Sequence, residues 1–234
     1  MERIDKIIAT QTNYSRKEVK KLVLQKRVMV NGEIISKSDI KVDENNDKIE
    51  IDGNKINVKK YIYLILNKPK GYISATEDPK MPTILDLVPE QYLHRNLFPA
   101  GRLDKDTTGL MLITDDGEFA HNILAPKKHI KKVYKVEIDI PINEIMINEF
   151  ENGVTLNDGI CKTAGLEKLD TYIGKVTLTE GRYHQIKRMF GCFGAKVTKL
   201  HRTAMGLLEL PKDLKEGASR ELSKQELELL TRRK

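Results

Sequence analysis

Tryptophan is absent from the 234 residues, aromatic residues make up 6%, and only two cysteines, Cys161 and Cys192, occur. Two cysteines without metal or redox spacing exclude a disulfide framework and a thiol-based metal site, and predict reduced structural thiols. The five histidines and the cysteines form no cluster in sequence, so no metal site is expected. No P-loop and no dinucleotide fingerprint is present, and no cofactor is expected. There is no long apolar run, at the N-terminus or elsewhere. Neither a signal peptide nor a membrane span is therefore expected, and a cytoplasmic location is. Lysine and arginine outnumber aspartate and glutamate, 41 to 34, for a net charge of +7. That balance favours a polyanionic partner and leaves the fold open.

The chain divides by pattern into residues 1–58 and 62–234, with a linker near Val58–Tyr61. In the first part, Ile4, Ile7 and Ile8 recur at helical spacing. Ser15 with Glu18 forms a capping box that starts a second helix, whose buried stripe is Val19, Leu22 and Val23. Arg16, Lys17, Lys20, Lys21, Lys26 and Arg27 crowd the rest of that segment, with Glu18 the one acid among them. Val28–Ile34 reads as two strands about an Asn31-Gly32 turn, and Ile49–Gly53 repeats the pattern. Two helices and a small sheet with one basic helix resemble the alpha-L RNA-binding domain of ribosomal proteins. The resemblance makes Arg16, Lys17, Lys20, Lys21 and Arg27 candidates for RNA contact. The competing reading is a solvated basic helix.

In the larger part, strands are expected at Ile62–Leu66, Leu110–Thr114, Val133–Asp139, Lys175–Thr179 and Lys196–Leu200. Helices are expected at Gly117–Leu124 and Tyr183–Phe193, with a turn at Thr83–Leu87. A capping box of Ser223 and Glu226 starts a last helix. Strands and helices interleave without a strict βα rhythm, so the fold class is α+β with a mixed or antiparallel sheet.

The most specific stretch is Gly101–Leu110, GRLDKDTTGL. It puts two carboxylates, an arginine and two hydroxyls in a glycine-bounded loop before a buried strand. Three more strings accompany it: LNKPKGYIS (66–74), KKVYKV (131–136) and EGRYHQIKRMF (180–190). In this order, with LHRTAMG (200–206) and SRELSKQEL (219–227) behind them, they resemble the bacterial ribosomal RNA pseudouridine synthases. The branch that modifies small-subunit RNA is the nearest match.

That resemblance implies isomerisation of uridine: the glycosidic bond breaks, the uracil turns, and its fifth carbon joins the ribose. It assigns the essential aspartate to Asp104, the active-site tyrosine to Tyr134 and the basic partner to Lys187. Asp104 can attack the sugar or the base, or take a ribose proton; the sequence leaves these open. For Tyr134 the competing reading is a strand aromatic in the core. Removing one member of a desolvated ion pair costs roughly 3–5 kcal/mol, so Lys187→Ala is expected to damage folding as well as catalysis.

Arg102 lies two residues before Asp104, on the same side if the segment is extended, and is the candidate to fill the gap left by an unstacked base. Asp106, Thr107 and Thr108 are expected to shape the loop through backbone hydrogen bonds. Gly101 and Gly109 are expected to permit its geometry, and Lys68, Pro69 and Gly71 to support the cleft. Lys127, Lys128, Lys131, Lys132 and Lys135 extend the expected basic surface. Arg182, His184 and Arg188 are candidates for RNA contact, a plain helix surface being the alternative for each.

Two rivals stand beside this reading. Asp104, Asp106 and Thr108 fit the Asp-x-Asp-x-Thr motif of haloacid dehalogenase phosphatases, although Pro99–Arg102 stands where that motif wants a long apolar strand. A non-catalytic ribosome assembly factor would also explain the basic first part. The same reaction on large-subunit RNA is the nearest alternative substrate. The expected partner is ribosomal RNA or an assembling small-subunit particle, and a monomer is expected.

Overall fold

A computed structural model of the chain describes residues 1–44, 46–125, 128 and 130–231. The chain forms two compact units, residues 1–62 with 89–97, and residues 63–88 with 98–234. The sequence reading gave residues 89–97 to the larger part; the chain instead returns them to the first.

In the first unit, a short strand β1 (Glu2–Arg3) leads into α1 (Ile4–Gln11), and α2 (Arg16–Leu24) follows. The Ser15–Glu18 capping box is present on both sides. The short strands are β2 (Val28–Val30), β3 (Glu33–Ile34), β4 (Lys41–Val42), β5 (Ile49–Ile51) and β6 (Asn54–Lys55). Both turns, Asn31-Gly32 and Asp52-Gly53, have positive φ at the two central positions, which fits a right-twisted hairpin. Ile4, Ile8, Val19, Val28 and Ile49 are wholly buried and form the core. The linker has no regular structure, but it is tied down. Gln11 Nε2 donates to the Lys59 carbonyl at 2.9 Å, and buried Arg95 donates to the carbonyls of Lys59 and Lys60 at 3.0 and 2.8 Å.

The second unit is built on one mixed sheet. Its elements in chain order begin with β7 (Tyr63–Lys68), β8 (Phe98–Pro99), β9 (Thr108–Thr114), α3 (Gly117–Leu124), β10 (Lys132–Ile138) and α4 (Glu144–Asn152). Then come β11 (Thr155–Leu156), β12 (Gly159–Ile160), β13 (Gly165–Lys168), β14 (Ile173–Leu178), α5 (Gln185–Gly191), β15 (Val197–Met205), β16 (Leu208–Glu209), β17 (Ser219–Glu221) and α6 (Lys224–Thr231). Among the described residues the main sheet runs β13-β14-β10-β15-β9-β7-β17, with β16 on β15 and β8 on β9. The pairing of β15 with β9 is parallel; the other pairings of this sheet are antiparallel. This fits the α+β expectation.

Strand β9 is central and buried on both faces: Leu110, Met111, Leu112 and Ile113 are at most 1% exposed. That explains its unbroken apolar run. Strand β10 alternates instead, with Lys132, Tyr134, Val136 and Ile138 buried. Helix α5 is short because Arg182–His184 turn before it; His184 sits at φ +47°, in the left-handed region. The fold also removes the phosphatase rival, since among the described residues only the two-residue β8 stands directly before the Asp104 loop, and the sheet is not the parallel one that motif belongs to.

Candidate active site

The Asp104 loop is shaped from beneath by a lysine. Lys68 ends β7 and is wholly buried. Its Nζ lies 3.1 Å from the carbonyl oxygens of both Pro69 and Asp104, 3.4 Å from that of Lys105 and 2.9 Å from that of Thr107. Burial pulls its pKa down to about 8, against the opposing charges of Asp106 and Asp104. Ser74 Oγ bonds the backbone of Leu103 twice, at 2.9 Å each, and Gly71 N donates to the Lys105 carbonyl at 2.8 Å. The LNKPKGYIS string therefore supports the loop directly, as expected of Lys68 and Gly71.

At the end of the loop, Gly109 answers to a close approach. A Cβ there would lie 2.3 Å from the Arg202 carbonyl oxygen across the parallel β9–β15 pair. Gly101 likewise adopts a positive φ, +101°.

The loop presents Asp104 with its side chain 26% exposed. Lys187 Nζ of α5 lies 3.1 Å from Asp104 Oδ2, and His184 Nε2 lies 3.3 Å from Oδ1. Two segments 80 residues apart in sequence thus meet at one carboxylate, because buried Ile186, Met189 and Phe190 anchor α5 to the core. Lys187 also holds Asp106 at 2.6 Å. Burial works against the charge of Asp106, but the hydrogen bond and charge of Lys187 win and lower its pKa. Burial also opposes the charge on Lys187, while its bonds to Asp106 and Asp104 prevail and raise its pKa.

Several expectations are corrected here. Asp106 does not chiefly shape the loop; its carboxylate bonds Lys187. The Thr108 hydroxyl lies 2.8 Å from His201 Nδ1 on the neighbouring strand, while Thr107 is buried. Lys187 is 23% exposed, so solvent screens its ion pairs, and the folding penalty expected of a fully desolvated pair is reduced. Lys132 is 8% exposed and does not extend the basic surface; Lys128, Lys131 and Lys135 are exposed, and Lys127 lies outside the described residues.

The candidate RNA contacts separate into two groups. Arg102 is exposed on the Asp104 loop, and its guanidinium has no partner among the described residues. Lys17, Lys20 and Lys21 are exposed on α2 and make no ion pair among the described residues. The remaining arginines have internal partners. Arg16 pairs with buried Asp5 at 3.0 Å, and Arg27 forms a two-point pair with Asp52 at 2.8 and 2.6 Å. Arg182 pairs with Asp158 at 3.0 Å, and Arg188 reaches the other oxygen of the same carboxylate at 3.2 Å. Asp158, in the turn between β11 and β12, thereby binds both arginines that flank His184 and Lys187. The sequence reading missed it; the Asp158-Gly159 turn signal shows the hairpin, but not where its carboxylate goes. His184 stacks on exposed Tyr183, ring centroids 3.9 Å apart, beside Asp104.

Tyr134 is 8% exposed. It lies between Val176 of β14 and Arg202 of β15, and Arg202 lies beside Gly109. One cross-sheet row therefore links Tyr134 to the residue where the Asp104 loop enters β9. Among the described residues no group of three or more His, Cys, Asp or Glu could hold a metal ion, and no helix is long and apolar enough to cross a membrane.

Known proteins match this arrangement along almost the whole chain. The family model for RNA pseudouridylate synthase covers residues 62–191, and that for the S4 domain covers residues 2–49. An uncharacterised RNA pseudouridine synthase of Aquifex aeolicus is 40% identical over 98% of this chain and 96% of its own length. The ribosomal small subunit pseudouridine synthase A of Escherichia coli (strain K12) is 39% identical over 96% of this chain and 98% of its own. A crystal structure of a pseudouridylate synthase, 37% identical, superposes with a TM-score of 0.69 over 98% of this chain and all of that one. A loop carboxylate clasped by the basic helix of the last motif, on a sheet shared with such relatives and behind an S4 domain, leaves one assignment: the chain belongs to the RNA pseudouridylate synthase family, whose members are isomerases.

Proposed function

We propose that this enzyme converts one uridine of small-subunit ribosomal RNA to pseudouridine, with Asp104 as the reacting carboxylate. The observation that carries the reading is the clasp itself: a loop carboxylate, a quarter exposed, held 3.1 Å from the Lys187 ammonium. An exposed acid on a braced loop can reach a substrate, and the adjacent cation offsets its charge when an RNA base covers the site. The Lys68 anchor fixes where that carboxylate sits, which is the requirement for attack in a defined geometry. Tyr134 supports the base from the sheet, and Arg102, free at the loop surface, fills the gap left by the unstacked nucleotide. The target strand is taken as the small-subunit RNA because relatives named for that subunit match at 38–39% identity over nearly their full length. The first unit anchors the RNA through Lys17, Lys20 and Lys21, and the enzyme works as a cytoplasmic monomer.

The test maps pseudouridine in both ribosomal RNAs from cells carrying the intact gene or Asp104→Asn. The expected result is one site lost from small-subunit RNA. A site lost from large-subunit RNA keeps the chemistry and moves the substrate. Unchanged maps remove Asp104 from its role and favour an assembly factor.

A further inference from the structure

Among the described residues, three cations are buried in the larger unit: Lys68, Lys132 and Arg202. Two of them spend their donors on the protein. Lys68 binds the loop carbonyls, and Arg202 Nε donates to the Leu110 carbonyl at 2.7 Å. The Lys132 ammonium has neither a hydrogen bond nor an ion pair among the described residues, although the residue is only 8% exposed. Burial first, and then the charge of Arg202, push its pKa down; Glu180 opposes them from a distance. Glu180 is committed elsewhere, to Gln185 Nε2 at 2.7 Å and to the Lys162 backbone N–H at 3.1 Å. Its stem is buried while its Nζ is not among the side-chain atoms sealed from solvent, so an ammonium bonded to no protein group keeps its donors for a ligand that reaches it.

Its place in the sheet says which ligand. Lys132 and Tyr134 are two residues apart on β10, so both side chains leave the same buried face. Their partners on β14, Leu178 and Val176, keep that register without a break. Glu180, whose charge acts on Lys132, braces Gln185, the first residue of the helix that carries Lys187. Lys132 thus shares the buried face of β10 with the tyrosine, and the acid whose charge it feels braces the first residue of the helix that carries Lys187.

The reaction creates a need for such a group. When the C1′–N1 bond of uridine breaks, its electron pair stays with the base. The base is then a uracil anion, with its charge spread over N1, O2 and O4. We infer that Lys132 is a further catalytic residue, whose ammonium donates a hydrogen bond to a carbonyl oxygen of the target uracil and holds the anion while the base turns. No proton passes to or from Lys132; it acts as a fixed donor aimed at charge that develops in the reaction. This rests on the reading that Asp104 and Tyr134 form the uridine site.

The experiment compares the wild-type chain with Lys132→Met, Lys132→Gln and Asp104→Asn. It measures single-turnover tritium release from small-subunit ribosomal RNA labelled at uridine C5, as naked transcript and as assembled particle. RNA affinity and melting temperature are measured on the same samples. For Lys132→Met we expect a rate loss of about a hundredfold, RNA affinity within threefold of wild type, and an unchanged or higher melting temperature. Lys132→Gln, which keeps a donor without the charge, should fall between. A Lys132→Met rate within twofold of wild type overturns the inference. So does a loss that tracks a lowered melting temperature in both variants, which would make Lys132 a structural residue. A wild type silent on both RNAs, or Asp104→Asn as active as wild type, instead removes the underlying reading.

Discussion

At the scale of single residues, the Lys68 ammonium does what a loop cannot do for itself. Four carbonyl oxygens converge on its Nζ, three of them from the Asp104–Thr107 segment. Lys68→Met would take this donor from the carbonyls of Pro69 and Thr107, at about 1–3 kcal/mol each, while the Lys105 and Asp104 carbonyls keep the N–H groups of Gly71 and Thr107. The expected outcome is a lower urea midpoint with a larger loss of turnover than of RNA affinity. A variant with wild-type turnover would show that the loop holds its shape alone. The same residue gives a pH dependence of defined sign. Its pKa is about 8 when folded, against an ordinary 10.5, so between those values the unfolded chain binds the extra proton. Stability contributed by this group therefore rises as pH increases through that window. Unfolding measured from pH 8 to 10.5 should show a steeper rise in the wild type than in Lys68→Met, where the lowered Lys132 still contributes its own part.

At the scale of elements, the tightest constraint is the crossing of β9 and β15. A Cβ on residue 109 meets the Arg202 carbonyl at 2.3 Å, and the backbone there has φ +100°. Gly109→Ala combines left-handed strain with a clash against backbone, and should cost more than about 3 kcal/mol. A melting temperature equal to wild type would contradict this.

The sequence made much of this legible. α3 was readable to the residue, and β7, β9, β10 and β14 to within two or three, because their apolar periods are clean and their ends carry turn residues. α4 was not read. Ile145 breaks its stripe by facing solvent at 67% exposure, and only Met146 and Phe150 are buried. β15 runs on to Met205 rather than ending at Leu200, since the polar His201-Arg202-Thr203 is held by partners on other strands. The strings pointed to Asp104 and Lys187 through resemblance. The links of Lys187 to Asp106 and of Asp158 to Arg182 and Arg188 span 81, 24 and 30 residues, and no local pattern encodes them.

At the scale of the whole molecule, the excess of seven positive charges is unevenly spent. Several arginines named from sequence as RNA contacts are paired internally, whereas the α2 lysines are not. Phosphate contact should therefore fall chiefly to Lys17, Lys20 and Lys21. Replacing all three with Gln should weaken RNA binding at low salt and reduce the slope of log affinity against log salt by about two to three, with turnover at saturating RNA preserved. An unchanged slope would place the RNA elsewhere.

The detour of residues 89–97 has a consequence for how the molecule is made. Arg95, which closes the carbonyls of Lys59 and Lys60, is translated only after the 26 residues from 63 to 88, all of which belong to the other unit. The N-terminal unit cannot finish itself as it leaves the ribosome. It waits, with its last hydrogen bonds open, until β7 of the larger unit has already been synthesised, so the two units share one order of birth although each has its own core.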